Sequence, residues 1–232
     1  MVFVVGEIGV NWDGNFELAK EMMQNAKNVG CNAVKFQSFN EDIIKNHPEK
    51  LRLINATICE DNIDTIIDLS KAVGIEWFCT PMYLEAVDLL NPYVKRFKIR
   101  EVDSRDLLEN KTTKLFEKLL DTKKEIIISS QRSPKTSKFY KNSQLKWLYC
   151  VPKYPCNFSD LDFRNIRDFN GYSNHCPHFL APMTAAILGS KIIEIHITAD
   201  KTKNFIDNNV SFDYSELEKF MNLLRQLDDM KV

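Results

Sequence analysis

Two histidines, His175 and His196, each close a short strand candidate, Gly171-Tyr-Ser-Asn before the first and the apolar Ile192-Ile-Glu-Ile before the second. If those runs are adjacent strands, roughly 4.8 Å apart, both imidazoles reach one ion. Two imidazoles completed by carboxylate or water oxygens suit a divalent transition ion such as Mn²⁺. The plainer alternative is that each ring only hydrogen-bonds nearby. His47, before Pro48 in a polar loop, and His178, after Pro177 at a helix start, carry no such pattern.

Lys35 and Lys98 interrupt apolar runs. Lysine is almost never buried without a partner, so each meets either an anionic ligand, such as a phosphate or carboxylate, or an acidic side chain, for which Glu7 and Asp103 are the candidates. Glu101 and Asp103 stand two residues apart and share one face if they lie on a strand. One could then be a general base and the other a metal or hydroxyl partner, or both could pair with Arg100 and Arg105. Glu194 and His196 share a face on the same ground.

The elements that must hold these groups alternate. Apolar runs at Val2–Val5, 33–37, 76–80, 96–99, 125–129, 145–150, 171–173 and 192–197 read as eight strands. Segments with helical spacing fall between them: 15–27, closed by Gly30, then 61–73, 81–90, 107–120, 159–168, 177–188 and 214–227. Residues 38–58 read as a long irregular connection, and 131–143 carry no helix pattern, so the fifth helix is expected to be shortened. Eight strands each followed by a helix or its remnant predict a minimal α/β chain, a (β/α)8 TIM barrel, with an open doubly wound sheet as the alternative. No linker or change of composition divides residues 1–232, so one domain is expected. In such a barrel chemistry sits at the C-terminal ends of the strands. The polar residues there are Glu7, Asn11, Lys35, Gln37, Thr80, Lys98, Glu101, Asp103, Ser129, Ser130, Tyr154, Ser173, Asn174, His175 and His196.

Composition narrows the class. Thirty-one Lys and Arg balance 32 Asp and Glu in 232 residues, for a net charge of -1. That balance argues against a nucleic-acid binder. No apolar stretch approaches the roughly 18 residues that span a bilayer, and the first ten residues lack the marks of a signal peptide. Six cysteines without a C-x-x-C pair fit reduced thiols in a cytoplasmic protein. There are 7 glycines, well under the usual frequency of about 7%, so glycine-rich phosphate loops are scarce.

At the residues of the rim the sequence resembles the N-acylneuraminate (sialic acid) synthase family. The matching motifs are Glu7-Ile-Gly-Val-Asn11 with Gly14, Ala33-Val-Lys-Phe-Gln37, Cys79-Thr-Pro81, Phe97-Lys-Ile99, Tyr154-Pro155, Gly171-Tyr-Ser-Asn-His175 and Glu194-Ile-His196, in family order over roughly residues 2–227. The resemblance implies a (β/α)8 barrel that condenses phosphoenolpyruvate with an N-acylated amino sugar such as N-acetylmannosamine. It implies His175 and His196 as ligands of a divalent metal, Mn²⁺ first, with Mg²⁺ or Co²⁺ as substitutes. It assigns Lys35, Gln37, Thr80, Lys98, Ser129 and Ser173 to phosphoenolpyruvate. Asp103 falls at the catalytic carboxylate, Glu7 near the acceptor sugar, Tyr154 at the sixth-strand tyrosine, and Asp207 at an aspartate that contacts sugar hydroxyls. Asn11 belongs to the first motif and is grouped with the substrate-binding residues.

The departures are specific. Trp12 replaces a histidine of the first motif, Glu101 a serine, and Pro152 an Asn or Ser that would donate an N–H. Val102 and Gln131 stand where two glycines are expected. Arg100 and Arg132 are the candidates to replace lost phosphate contacts. Family members usually carry a C-terminal antifreeze-like domain, and this sequence is expected to be the barrel domain only. A homodimer is expected by analogy, and a separately encoded antifreeze-like domain protein is a second candidate partner. Two alternatives stay open: a divergent barrel enzyme acting on another aldehyde and anion, and a non-catalytic or partner-dependent carbohydrate-binding subunit.

Overall fold

The computed structural model describes residues 1–230. Eight parallel strands close into a barrel in sequence order: β1 (Phe3–Gly9), β2 (Ala33–Ser38), β3 (Glu76–Pro81), β4 (Arg96–Ile99), β5 (Glu125–Ser130), β6 (Leu145–Cys150), β7 (Gly171–Asn174) and β8 (Ile192–His196). Closure follows from β1 pairing with both β2 and β8. Each strand is covered on its outer face and packed inside, which is why it reads as a continuous apolar run. Gly171 has a steric reason to be glycine, since a Cβ there would meet the Ile192 carbonyl oxygen at 1.9 Å. Any side chain at this position would force β7 from β8.

The outer layer is α1 (Phe16–Val29), α2 (Glu41–Ile44), α3 (Lys50–Leu53), α4 (Ile63–Val73), α5 (Leu84–Leu90), α6 (Glu101–Leu108), α7 (Lys114–Asp121), α8 (Leu180–Ile187) and α9 (Tyr214–Asp229). Helix α1 shows how the sequence sets an element. The Asn15 side chain accepts from the N–H groups of Glu17 and Leu18, Gly30 ends the helix in the left-handed region, and Ala19, Met22, Met23 and Ala26 form its buried stripe. Burying a side chain the size of Met22 is worth about 1.5–3 kcal/mol, so the stripe outweighs the cap in holding the helix.

Three expectations need correction. The connection 38–58 is not irregular throughout, because α2 and α3 form single helical turns within it. The helix expected over 107–120 is two helices. Asn110 takes a positive φ of 59° and Thr113 caps a fresh start by accepting from the Phe116 N–H. The first of the two begins at Glu101, so Glu101 and Asp103 lie on a helix, not a strand. The segment 159–168 forms only 3-10 turns, at Phe158–Asp160 and Phe163–Asp168, with Asn165 outside helical geometry. The fifth connection is short of a helix as expected, holding one 3-10 turn at Pro134–Thr136.

Outside β6 an aromatic cluster takes the place of a helix, while α8 packs on β7 and adds Ala181 and Ala185 to the same cluster. Tyr149 packs on Phe163, Phe169 and Tyr172 at centroid distances of 5.6, 5.6 and 5.9 Å. It forms a small core of its own with Ile166, Cys156 and Cys176. All six cysteines are unpaired. Among the described residues no helix is long and apolar enough to cross a membrane.

Candidate active site

The C-terminal ends of the strands surround a cavity of about 510 Å³. All eight strands contribute to its lining, with Glu7 from β1, Lys35 and Gln37 from β2, Thr80 from β3, Lys98 from β4, Ser129 from β5, Cys150 from β6, Ser173 from β7, and Glu194 and His196 from β8. The alternation of side chains along a strand turns these residues inward.

At its centre two lysines and two glutamates alternate. Lys35 Nζ lies 2.8 Å from Glu7 and 3.9 Å from Glu194, while Lys98 Nζ lies 2.8 Å from the other oxygen of Glu194. Lys35 also donates to Thr80 Oγ1 at 3.1 Å, Gln37 to Glu7 at 3.1 Å, and Ser173 to Glu194 at 2.9 Å. All four charged residues are at most 3% exposed. The partner expected for Lys98, Asp103, is therefore replaced by Glu194. Strands β4 and β8 face one another across an eight-membered ring, so the pair spans the barrel interior.

The two glutamates are driven apart in acidity. Burial pushes the Glu7 carboxyl up, Lys35 opposes it, and the result is about 7. Burial also pushes on Glu194, but Lys35 and Lys98 together outweigh it and hold the carboxyl at about 2. Environments that separate two carboxylates in this way separate their possible roles as proton carrier and fixed charge. The consequence for stability has opposite signs. Glu194 contributes stability above its ordinary 4.5 that is lost as pH falls toward 2. Glu7 contributes stability below 4.5 that is lost as pH rises through 7. Urea midpoints measured against pH are thus expected to decline on both sides of a mildly acidic optimum, and Glu7→Gln is expected to flatten the neutral limb.

Beside this network His175 and His196 stand with ring centroids 5.2 Å apart. His175 Nδ1 lies 2.7 Å from the Val151 carbonyl, and His196 Nδ1 3.4 Å from the Asn174 carbonyl. Those carbonyls favour the Nδ1–H tautomer and leave each Nε2 with a free lone pair. Burial lowers both imidazoles, His196 the more strongly because His175 adds to it, so both are neutral as ligands must be. Among the described residues no group of three or more His, Cys, Asp or Glu side chains converges to hold an ion. The pair thus fits a metal that completes its shell from water and substrate oxygens, with two protein donors. The Tyr154 ring packs against both imidazoles, tilted against His175 at 4.1 Å and edge-to-face with His196 at 5.7 Å.

Asp207 enters from the β8 connection. A Cβ on Gly9, whose φ is 55°, would sit 3.1 Å from a Glu7 oxygen and 3.3 Å from both Asp207 Oδ2 and Gln37 Nε2. Glycine there is what lets the three converge. Burial pushes the Asp207 carboxyl up to about 6. Asn11 does not line the cavity. Its amide is used within the protein, donating to the Ile197 carbonyl and Ser211 Oγ and accepting from the Asp207 N–H at 2.9 Å. It therefore holds the backbone of Asp207 in place.

Asp103 also lies outside the cavity lining. On a helix, residues two apart point to different sides, so Glu101 faces the cavity while Asp103 pairs with Arg100 at 2.6 Å. Arg132 is likewise displaced, paired with Glu109 at 2.6 Å and 64% exposed. Arg100 does reach the cavity, and it is joined by Arg105, which grips Glu101. The sequence alternative in which Glu101 and Asp103 pair with Arg105 and Arg100 is the one the structure shows. Sequence reading gave Glu194 no such role, and its only signal was its alternation with His196. Ser129 Oγ is buried at the cavity without a hydrogen-bond partner.

The chain is similar to proteins of one kind along nearly its whole length. It is 30% identical to an uncharacterized protein of Methanocaldococcus jannaschii, covering 98% of this chain and 71% of that one. It is 28% identical to the N,N'-diacetyllegionaminic acid synthase of Legionella pneumophila, covering 97% and 72%. The crystal structure of an N-acetylneuraminic acid (sialic acid) synthetase from Leptospira borgpetersenii superposes with a TM-score of 0.86 at 26% identity, covering 99% and 84%. The NeuB family profile matches residues 22–231. With most of the chain matched and its relatives synthases of sialic, legionaminic and pseudaminic acids, this barrel belongs to the NeuB family.

Proposed function

We propose that the chain condenses phosphoenolpyruvate with an N-acylated amino sugar to give a nonulosonic acid and inorganic phosphate. The observation that carries this reading is the single cavity in which buried cations, a proton-carrying carboxylate and a neutral histidine pair meet. In the reaction the enol carbon forms a bond to the acceptor's aldehyde carbon. Water adds at the carbon bearing the phosphate ester, and the C–O bond to phosphate breaks. A divalent ion, Mn²⁺ first, held by Nε2 of His175 and His196, would supply Lewis-acid polarisation of the aldehyde oxygen.

The chain's own residues do the rest. Lys98, Arg100, Arg105 and the unpartnered Ser129 hydroxyl, all from the β4 and β5 ends, receive the phosphate and carboxylate. Lys35 and Thr80 extend that sector toward the enol. Glu7, pushed up to about 7, takes the proton from the attacking water, since a base titrating near the working pH is the most effective. Gln37 and Asp207 meet sugar hydroxyls. Tyr154 covers the histidines and keeps bulk water from them.

Glu101 favours one second reading, a divergent enzyme using another anion, because it places a carboxylate among the arginines. One assay separates them: phosphate release from phosphoenolpyruvate with Mn²⁺ and a panel of N-acylated amino sugars. Sugar-dependent release is expected. No release with any sugar, alongside measurable Mn²⁺ binding, would favour the second reading.

A further inference from the structure

Charge is unevenly spread along the chain. From Ile126 to Ser159 there are six Lys and Arg and no Asp or Glu, although acids make up 32 of the 232 residues. Residues 95–146 carry 15 Lys and Arg against 7 Asp and Glu, and the rest of the chain carries 16 against 25. A barrel that is nearly neutral as a whole is therefore strongly basic on one flank and acidic elsewhere.

The fold gathers these cations. The connection from β5 to β6 lies along α7 and the turn before it. Ser137 Oγ donates to the Leu107 carbonyl at 2.7 Å, the Lys138 N–H to Asn110 Oδ1 at 2.6 Å, and Gln144 to the Leu120 carbonyl at 3.2 Å. Phe139 meets Phe116 edge-on at 5.1 Å. Three basic side chains on this flank are neutralised, Lys118 by Asp88, Arg132 by Glu109 and Lys135 by Asp168. Lys111, Lys114, Lys123, Lys138 and Lys141 are exposed and form no ion pair among the described residues. Lys138 Nζ stands 4.9 Å from the Phe139 ring centroid, which leaves its charge unneutralised. The remaining exposed acids, Asp106, Glu117 and Asp121, lie on α6 and α7, so the β5–β6 connection itself is free of negative charge.

We propose that this flank is a docking surface for an anionic phospholipid bilayer. All five unpaired cations are lysines, compact charges on flexible stems, without the planar fork by which arginine grips a single phosphate. They converge on no cleft. The aromatics of the connection, Phe139 and Tyr140, pack into the core, so no ring stands free to stack on bases as single-stranded nucleic acid requires. A diffuse lysine field suits a diffuse negative surface, where each lysine is worth about fivefold in binding. The acidic remainder of the barrel is repelled by the same surface, which sets one orientation. The β5–β6 connection runs from the C-terminal end of one strand to the N-terminal end of the next, so the docked flank parallels the barrel and leaves the cavity mouth clear. The docking is independent of the proposed condensation.

Co-sedimentation of the whole chain with vesicles tests this. One set holds equal parts of phosphatidylglycerol and phosphatidylcholine, the other phosphatidylcholine alone. The chain is expected to sediment with the first set only, and to be released as salt approaches about 1 M, where screening shortens to about 3 Å. The triple variant Lys111→Glu, Lys138→Glu, Lys141→Glu is expected to lose about a hundredfold or more in affinity. Lys20→Glu, Lys27→Glu, Lys191→Glu changes net charge equally at exposed positions elsewhere and is expected to stay within about fivefold of the parent. Urea midpoints of both triples are expected to match the parent's, since no ion pair or buried contact is removed. No binding to the anionic vesicles, equal binding to both sets, or equal loss in the two triples would overturn the proposal. So would stronger capture by duplex DNA than by anionic vesicles at the same phosphate concentration.

Discussion

Glu194→Gln is expected to lower the unfolding free energy by about 3 kcal/mol or more, and adding Lys98→Met is expected to restore much of the loss. Glu194 neutralises Lys98 directly and shares Lys35 with Glu7. Removing its charge strands the Lys98 ammonium in the barrel interior, and breaking a buried pair from one side costs about 3–5 kcal/mol. The glutamine amide can still accept from Lys98 and Ser173, which puts the loss toward the lower end. In the double variant only the Lys35–Glu7 pair remains, and it is balanced. Replacing both partners of a buried pair by neutral groups is often close to cost-free. Urea unfolding of the four proteins in the cycle measures the coupling. A double variant no more stable than Glu194→Gln would show that the network is held by something other than charge balance.

The second large effect separates two carboxylates. Sequence motifs point to Asp103 as the catalytic acid–base residue, whereas the cavity holds Glu7. Glu7→Gln is expected to lower kcat by about 10²–10⁴-fold, the usual worth of a positioned proton carrier. Asp103→Asn is expected to cost no more than about fivefold, the value of the partly exposed ion pair it makes with Arg100. Steady-state phosphate release at saturating sugar reads both. A loss of hundredfold or more in Asp103→Asn would return the catalytic role to that residue.

The eight strands were legible because a strand buried on both faces is a bare apolar run. Arg96–Ile99 and Leu145–Cys150 show it best, since their limits in the structure coincide with the sequence reading. Helices were legible where one apolar stripe repeats, and misleading where two stripes fall in phase. Leu107, Leu115 and Leu119 look continuous, and only a left-handed Asn110 followed by a Thr113 cap divides them. The rim residues could be picked out because polar groups at strand ends stand against apolar interiors. Which acid meets which lysine could not be. Lys98 and Glu194 are 96 residues apart, and their meeting depends on the closure of the barrel. Asp103 was misplaced for a simpler reason, since a two-residue spacing means one face on a strand and two directions on a helix.

The aromatic cluster outside β6 has a further consequence. Most of the barrel is braced by full helices, but this sector is covered by 3-10 turns with few backbone bonds to lose. Local opening draws on regions with such thin cover, so the ring is unequal in the work needed to loosen it. The two histidines differ in their relation to that sector, His175 being tied to its edge through the Val151 carbonyl just after β6 and His196 ending β8, which β1 and α8 support. One imidazole is therefore held by the braced wall and the other is tied to the thinly covered end of β6. Small changes in the distance between them would be governed from outside the barrel, by Tyr149 and its neighbours.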